Sequence, residues 1–189
     1  MHIDENQIIK KCQQGDLEKF AQLYDLYVEK IFRFVFYKTQ HKETAEDIVS
    51  ETFIKALKGI GNFRGNLGTF QAWLFKIARN SVVDYYRAKK NSPTKDIEEV
   101  WDLGENNSIL ETLTMKQEAK KVVQYFKNLS PIQREILILR VWEEMPYNQI
   151  AEIVNKDKNN CKVIFARTIK KLKEEAPLFI IFLLLLKNL

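Results

Sequence analysis

Cysteine, histidine, proline and glycine are all scarce in this sequence of 189 residues, which contains 2 Cys, 2 His, 4 Pro and 6 Gly. The two cysteines, Cys12 and Cys161, are too few to build the disulfide framework of a small secreted domain. The sequence has no Cys-x-x-Cys pair that would bind zinc, and neither histidine adds a metal motif. We therefore expect a reduced protein with no metal site and no cofactor.

The N-terminal segment, MHIDENQIIKKCQQ, lacks the apolar core of a signal peptide. This predicts that the chain is not secreted and works in the cytoplasm. Signatures of catalysis are also missing, because no Ser/His/Asp or Cys/His set has a suggestive spacing. We therefore expect a protein that is not an enzyme.

The low content of glycine and proline, together with apolar residues at helical spacing, predicts an all-α fold. The first apolar stripe comprises Leu17, Phe20, Ala21, Tyr24, Tyr27, Val28, Ile31, Phe32 and Val35. Two further stripes lie within 45–57 and 70–85. Between them, the segment GIGNFRGNLGT holds four of the six glycines, which predicts a loop with unusual backbone angles.

The composition changes at Asn91. Segment 91–108 carries five acidic residues and one lysine, a net charge of −4, without sustained periodicity, which is typical of an acidic flexible linker. Beyond it, Ser130, Pro131 and Gln133 form the start signal of a helix. Two helical blocks around the polar turn NKDKNN then predict a helix-turn-helix. The architecture expected is two small helical domains joined by the linker.

Charge is distributed unevenly, and the net value of +5 hides this. On the helix predicted over 42–58, an i+3/i+4 spacing places four polar residues on one face: Glu43, Asp47, Ser50 and Glu51. Such an acidic ridge is either a solvated face or a docking surface for a basic partner protein.

Segment 63–90 is basic and rich in aromatic residues, a combination that suits single-stranded nucleic acid, where stacking contributes about 1–3 kcal/mol per base. The alternative is that Phe70, Trp73 and Tyr85 belong to the core. The last helix carries a further basic series: Lys162, Arg167, Lys170, Lys171 and Lys173. It is either a recognition helix or a basic amphipathic helix without sequence preference.

The motifs GDLEKFAQLYDLYVEKIFRF, AEDIVSETFIKAL and FRGNLGTFQAWLFKIARNSVVDYYRAKK resemble region 2 of the extracytoplasmic-function sigma factors. LSPIQREILILRVWEEMPYNQIAEIV and VIFARTIKKLKEEA are similar to their region 4. The resemblance implies a region 2 domain over 1–90, a linker over 91–112, a region 4 domain over 113–176 and a tail over 177–189. It implies a subunit that binds RNA polymerase core, directs it to promoters and assists DNA melting.

The resemblance also implies partners and site residues. Asp47, Ser50 and Glu51 correspond to the residues that contact the clamp helices of the polymerase β′ subunit, although the family usually has Gln where Ser50 stands. The β flap, promoter DNA and an anti-sigma factor are the other expected partners. The −10 element would be recognised by Phe63, Arg64, Gly65, Asn66, Thr69 and Asn80.

Recognition of the −35 element is implied for Asn160, Lys162, Val163, Ala166, Arg167 and Lys170. Here the chain departs from the family pattern, because Asn155 replaces a turn glycine and Lys156 an apolar residue. Cys161–Ile164 stands where Val-Lys-Ser-Arg is common. Two polar side chains are thereby replaced by aliphatic ones, so we expect an unusual or weak −35 preference.

The C-terminal segment 178–186, LFIIFLLLL, is the one long apolar run. As a helix its nine residues span about 13–14 Å, under half of a ~30 Å hydrocarbon core, so it is too short to cross a membrane. It either covers an apolar patch on its own domain, the interpretation favoured here, or docks on a regulator or a membrane surface. The rival functions are a stand-alone helix-turn-helix regulator and a helical interaction or membrane-surface module.

Overall fold

The computed structural model describes residues 5–39, 41–65, 67–90 and 128–175, and the chain divides into two units, Met1–Val100 and Trp101–Leu189. Within these ranges every regular element is helical, which confirms the all-α prediction. The predicted linker over 91–112 and the tail over 177–189 lie outside the described residues, so their boundaries stay predictions.

The first unit contains four α-helices. They are α1 (Glu5–Gln13), α2 (Glu18–Thr39), α3 (Lys42–Gly59) and α4 (Leu67–Lys90), with a 3₁₀ turn at Ile60–Asn62 directly after α3. Helices α2, α3 and α4 pack on one another, and α1 lies against α2 and the 3₁₀ turn. Their shared core is aromatic and aliphatic, and its fully buried members include Leu23, Ile31, Phe34, Phe70, Leu74 and Phe75. Burial of such side chains contributes about 1.5–3 kcal/mol each.

The buried face of α2 differs from the predicted stripe. Leu17 is 62% exposed and Tyr24 42% exposed, whereas Leu23 and Phe34, which the stripe omitted, are fully buried. Leu17 precedes the first helical residue, and the Tyr24 ring packs on Phe53 with centroids 4.7 Å apart at the edge of the core. The spacing therefore predicted the helix correctly, whereas the packing of α1, α3 and α4 against α2 decided which of its faces is buried.

The second unit contains α5 (Pro131–Val141), α6 (Tyr147–Val154) and α7 (Lys158–Glu175), which pack on one another. The predicted start signal is confirmed as a capping box. The backbone N–H of Gln133 donates to the Ser130 hydroxyl at 3.4 Å, and the Ser130 N–H donates to the Gln133 side chain at 2.9 Å. Fully buried Ile136, Leu137 and Ile150 form the centre of this unit.

Both cysteines are buried and free, and burial raises the pKa of each thiol. Within the described parts of the chain, no helix has the length and apolar character needed to cross a membrane. The same ranges hold no cluster of three or more His, Cys, Asp or Glu that would bind a metal ion.

Helix α1 ends in a glycine-dependent turn. Gly15 has φ +95°, its N–H donates to the carbonyl of Cys12, and the N–H of Asp16 donates to the carbonyl of Lys11. This is the hydrogen-bond pattern of a Schellman motif, in which the residue with positive φ is usually glycine.

We predict that Gly15→Ala lowers the free energy of unfolding by about 1–2 kcal/mol, because an L-residue is strained in the left-handed region. A Cβ at Gly15 would meet no atom within 4 Å, so the loss is one of backbone strain and not of a clash. Gly61 also has open space around its Cβ position but no positive φ, which makes Gly61→Ala the matched control. Urea unfolding of the three proteins checks this, and equal losses at both positions would contradict it.

Candidate nucleic-acid interface

The acidic ridge of α3 is solvent-accessible. Glu43, Asp47, Ser50 and Glu51 are all exposed, as their helical spacing predicts. Ile54 lies on the same face one turn further along and is 53% exposed, an apolar side chain among carboxylates that the sequence prediction did not single out. A face with an exposed apolar residue among acids suits a protein partner with complementary charge better than it suits solvent alone.

One carboxylate of the ridge is already paired. The Lys55 ammonium lies 2.7 Å from the Glu51 carboxylate, donates to the Ser81 hydroxyl at 3.0 Å and lies 3.9 Å from Asp84. Ser81 and Asp84 belong to α4, so Lys55 connects the ridge to that helix. Asp47 is therefore the freer of the two acidic positions predicted to contact a partner.

A groove of about 600 Å³ runs between α2 and α3 beside the ridge. Its walls combine apolar and charged side chains: Tyr24, Val28, Glu29, Phe32, Arg33, Lys42, Glu46, Val49 and Ser50. Ser50 thus belongs both to the ridge and to the groove. Sequence spacing predicted the ridge, but the groove depends on how two helices pack.

The loop before α4 is organised around Phe63. Only 8% of Phe63 is exposed, and its ring lies edge-on to Phe70 at 5.4 Å and tilted against Trp73 at 5.1 Å, measured between centroids. The next two residues, Arg64 and Gly65, are exposed. Phe63 is thus a core residue whose ring has little surface free for stacking on a base.

The other residues predicted for the same element fall into two groups. Asn80 is exposed on α4, on the outer side of the helix. Asn66 and the side chain of Thr69 lie outside the described part of the structure. Of the aromatic residues with an alternative assignment to the core, Phe70 is buried, and Trp73 and Tyr85 are half-buried.

Fewer basic side chains are exposed around α4 than the composition of segment 63–90 indicates. Arg64, Lys76, Arg87 and Lys89 are exposed, but Arg79 is only 6% exposed and belongs to the interior. A buried guanidinium is engaged within the protein and is not available to a phosphate. The exposed positive charge therefore lies before the helix at Arg64, at Lys76 near its middle, and near its C-terminal end at Arg87 and Lys89.

The six residues predicted for the recognition helix lie together on the outer face of α7. Asn160, Lys162, Val163, Ala166, Arg167 and Lys170 are all exposed. The opposite face is buried through Cys161, Thr168 and Leu172. Val163 is 45% exposed, so an apolar side chain stands in the middle of the polar surface. The helix has the amphipathic form required of a recognition helix.

Two local features define the turn before α7 and the start of that helix. The Asp157 carboxylate accepts the backbone N–H groups of Asn159 at 2.7 Å and Asn160 at 3.2 Å, which satisfies the start of the helix. Asn155 adopts φ 54° and ψ 50°, the left-handed conformation expected where the related pattern has glycine. The turn of the helix-turn-helix is thus formed without glycine.

Both units match families of known proteins. The family model for sigma-70 region 2 matches residues 23–92, and the model for sigma-70 region 4 matches residues 120–172. The chain is 30% identical to the ECF RNA polymerase sigma factor BldN of Streptomyces coelicolor over 90% of its own length, and it spans 65% of that protein. It is 27% identical to the RNA polymerase sigma factor YlaC of Bacillus subtilis, covering 84% of this chain and 96% of the other.

Solved structures show the same fold. The structure of CnrH in complex with the cytosolic domain of CnrY has a TM-score of 0.65 at 18% identity, covering 90% of this chain and 95% of that one. The sigma factor RpoE from Bartonella quintana, in complex with the anti-sigma factor NepR, has a TM-score of 0.58 at 22% identity, covering 83% and 96%.

We predict that Asn155→Ala lowers the free energy of unfolding by about 1 kcal/mol, whereas Asn155→Gly maintains or raises it, because glycine adopts the left-handed conformation without strain. Asn148→Ala is the control, since Asn148 is exposed within α6, where alanine is the better helix former. Chemical unfolding of the three variants checks this order. A loss at Asn148 equal to that at Asn155 would refute it.

Proposed function

Because this chain belongs to the extracytoplasmic-function group of the sigma-70 family, we propose that it binds the core of bacterial RNA polymerase and directs it to specific promoters. Membership of this family makes the chain a transcription initiation factor. The observation that carries the proposal is that matches to region 2 and to region 4 occur in one chain, each on a unit with an exposed charged face. We expect it to act in the cytoplasm, where the polymerase works, and to have no catalytic step of its own.

The acidic ridge of α3 is proposed as the surface that binds the β′ clamp helices. Asp47 and Ser50 are exposed there, and Glu51 is held in place by Lys55. Exposed carboxylates arranged on one helix face attract a basic helix, and the apolar Ile54 supplies contact area once water is excluded. The β flap is a further polymerase contact that the family resemblance implies.

The loop before α4 is proposed to hold an unpaired base of the −10 strand. Arg64 and Gly65 are exposed at its surface, and Asn80 is exposed on the helix behind it. Roles for Asn66 and Thr69 rest on the resemblance. Phe63 takes part through its buried ring, which anchors the loop, and not as an open stacking platform. Stacking and phosphate contacts with one strand then offset the lost base pairing.

The outer face of α7 is proposed to lie in the major groove at the −35 element. Lys162, Arg167 and Lys170 supply cations for phosphates or base edges, and Asn160 stands at the start of the helix. The exposed Val163 and Ala166 are suited to apolar contact with a thymine methyl group. The shortage of polar side chains at the centre of this face supports a weak or unusual −35 preference.

Regulation by an anti-sigma factor is part of the proposal. CnrH is solved with CnrY, and RpoE with the anti-sigma factor NepR, both as complexes of proteins with this fold. In the present chain, the groove between α2 and α3 and the neighbouring ridge form a continuous surface, since Ser50 belongs to both. A regulator bound there would cover the proposed polymerase contact.

A stand-alone helix-turn-helix regulator is the alternative function. It accounts for the second unit but leaves the ridge of α3 and the loop before α4 without a purpose. Gel filtration with core polymerase distinguishes the two functions, because a sigma factor co-elutes with the core. Separate elution, together with tight binding of duplex DNA by the chain alone, would support the regulator.

We predict that Asp47→Arg combined with Glu51→Arg abolishes the complex with core polymerase, because it reverses the charge at the centre of the ridge. The measurement is co-elution with core on gel filtration. The melting temperature of the variant should stay close to that of the wild type, since both side chains are exposed.

Glu18→Arg combined with Asp25→Arg is the matched control. It makes the same change in net charge at two exposed positions of α2 that do not line the groove. This control should still co-elute with core. If the ridge variant also co-elutes normally, the assignment of the polymerase contact is wrong.

We further predict that Arg167→Ala weakens holoenzyme binding to a promoter duplex and lowers the slope of log K against log salt by about 1, as expected when one phosphate contact is lost. The duplex is one selected by the wild-type holoenzyme from a randomised pool. Lys173→Ala is the control, because Lys173 is exposed on α7 but close to its C-terminal end. An unchanged slope for Arg167→Ala would exclude Arg167 from the DNA contact.

A further inference from the structure

Gln13, the last residue of α1, contacts the loop before α4. Its side-chain amide nitrogen donates hydrogen bonds to the carbonyl oxygens of Ile60 at 3.2 Å and Phe63 at 2.6 Å. These two carbonyls lie 47 and 50 residues further along the chain. A single amide group therefore spans the 3₁₀ turn and holds both of its ends.

Helix α1 gives this amide a fixed base. At the first residue of the helix, the Glu5 carboxylate accepts a hydrogen bond from the Tyr27 hydroxyl of α2 at 2.7 Å. Ile8, Ile9 and Cys12 are buried along its length. The Schellman turn then ends the helix directly after the residue that carries the amide. Glu5 and Gln13 thus stand at opposite ends of a short helix that is secured between them.

The carbonyl of Phe63 belongs to the peptide that leads into the exposed part of the loop. The ring of Phe63 is held between Phe70 and Trp73, and its N–H donates to the carbonyl of Ile60 at 3.0 Å. With the Gln13 amide bound to its carbonyl, both polar groups of the Phe63 backbone and its side chain are engaged. The direction in which the chain proceeds to Arg64 and Gly65 is thereby set.

We propose that Gln13 is a positioning residue for promoter recognition, which fixes the peptide between Phe63 and Arg64 so that the loop is organised before a DNA strand reaches it. The inference rests on the proposed function and assigns α1 a supporting role behind the proposed DNA-binding loop. An amide suits this task because one nitrogen offers two hydrogen atoms to two carbonyl oxygens. A preorganised loop binds its ligand more tightly because less ordering remains to be done on binding.

The test compares Gln13→Met and Gln13→Glu with the wild type. Methionine keeps the length and helix propensity but has no donor, and a carboxylate places negative charge against two carbonyl oxygens. Gln14→Met is the matched control, because it makes the same change at the next residue, which is exposed as Gln13 is, whereas the two hydrogen bonds to Ile60 and Phe63 come from Gln13. Each protein is assembled with core polymerase. The probe is a fluorescent single-stranded oligonucleotide that the wild-type holoenzyme selects from a randomised pool.

We expect Gln13→Met to weaken binding of this oligonucleotide by about 5- to 10-fold, as expected when two hydrogen bonds to the loop are lost, and Gln13→Glu to weaken it further. Gln14→Met should bind as the wild type does. The affinity of each variant for core polymerase should be unchanged, since the ridge of α3 is not altered. In the free chain, hydrogen exchange of the amides in 61–65 should be faster in Gln13→Met.

Two results would overturn the proposal. The first is oligonucleotide binding by Gln13→Met equal to that of the wild type, whether or not exchange in the loop is faster. The second is a loss of core binding that matches the loss of DNA binding, since that indicates general destabilisation. A wild-type chain that neither joins core polymerase nor selects a strand would instead refute the function on which the inference rests.

Discussion

The packing of Phe63 between Phe70 and Trp73 connects the core of the first unit to its proposed DNA-reading loop. Phe70 also lies against Tyr27 of α2, with ring centroids 5.7 Å apart, so one aromatic cluster joins the loop, α2 and α4. Aromatic pairs of this kind contribute about 0.5–1.5 kcal/mol each beyond the area they bury. Because the loop is anchored by a ring that the core requires, its exposed residues, Arg64 and Gly65, start from a defined place.

The proposed polymerase contact and the proposed DNA contacts lie on different helices. Glu43, Asp47 and Glu51 are exposed on one face of α3, Arg64, Lys76, Arg87 and Lys89 are exposed on α4 or just before it, and Lys162, Arg167 and Lys170 are exposed on α7. Lys55 connects the acidic ridge of α3 with α4, because it contacts Glu51 of the ridge and both Ser81 and Asp84 of α4. A partner that binds Glu51 would therefore compete with Lys55, which also contacts α4, the helix that follows the proposed DNA-binding loop.

The sequence predicted correctly those features that depend on contacts between residues only a few positions apart. The capping box at Ser130 depends on neighbours within a few residues and has the predicted form, and Asn155 is left-handed where the family pattern has a turn glycine. The exposed face of α7 also follows from spacing alone. Predictions failed where burial depends on distant residues. Leu17 and Tyr24 are exposed despite their place in the stripe, and Arg79 is buried although it belongs to the basic segment 63–90.

The sequence by itself determined the all-α class, the order of the helices and the residue types on the acidic and basic faces, because helical periodicity and capping are properties of short segments. Only the tertiary structure decided that the Phe63 ring is buried, that a groove separates α2 from α3 and that Gln13 bonds to the loop 47 to 50 residues away. No pattern in a single sequence specifies such contacts. They arise when helices of fixed shape pack together and bring the end of one against the backbone of another.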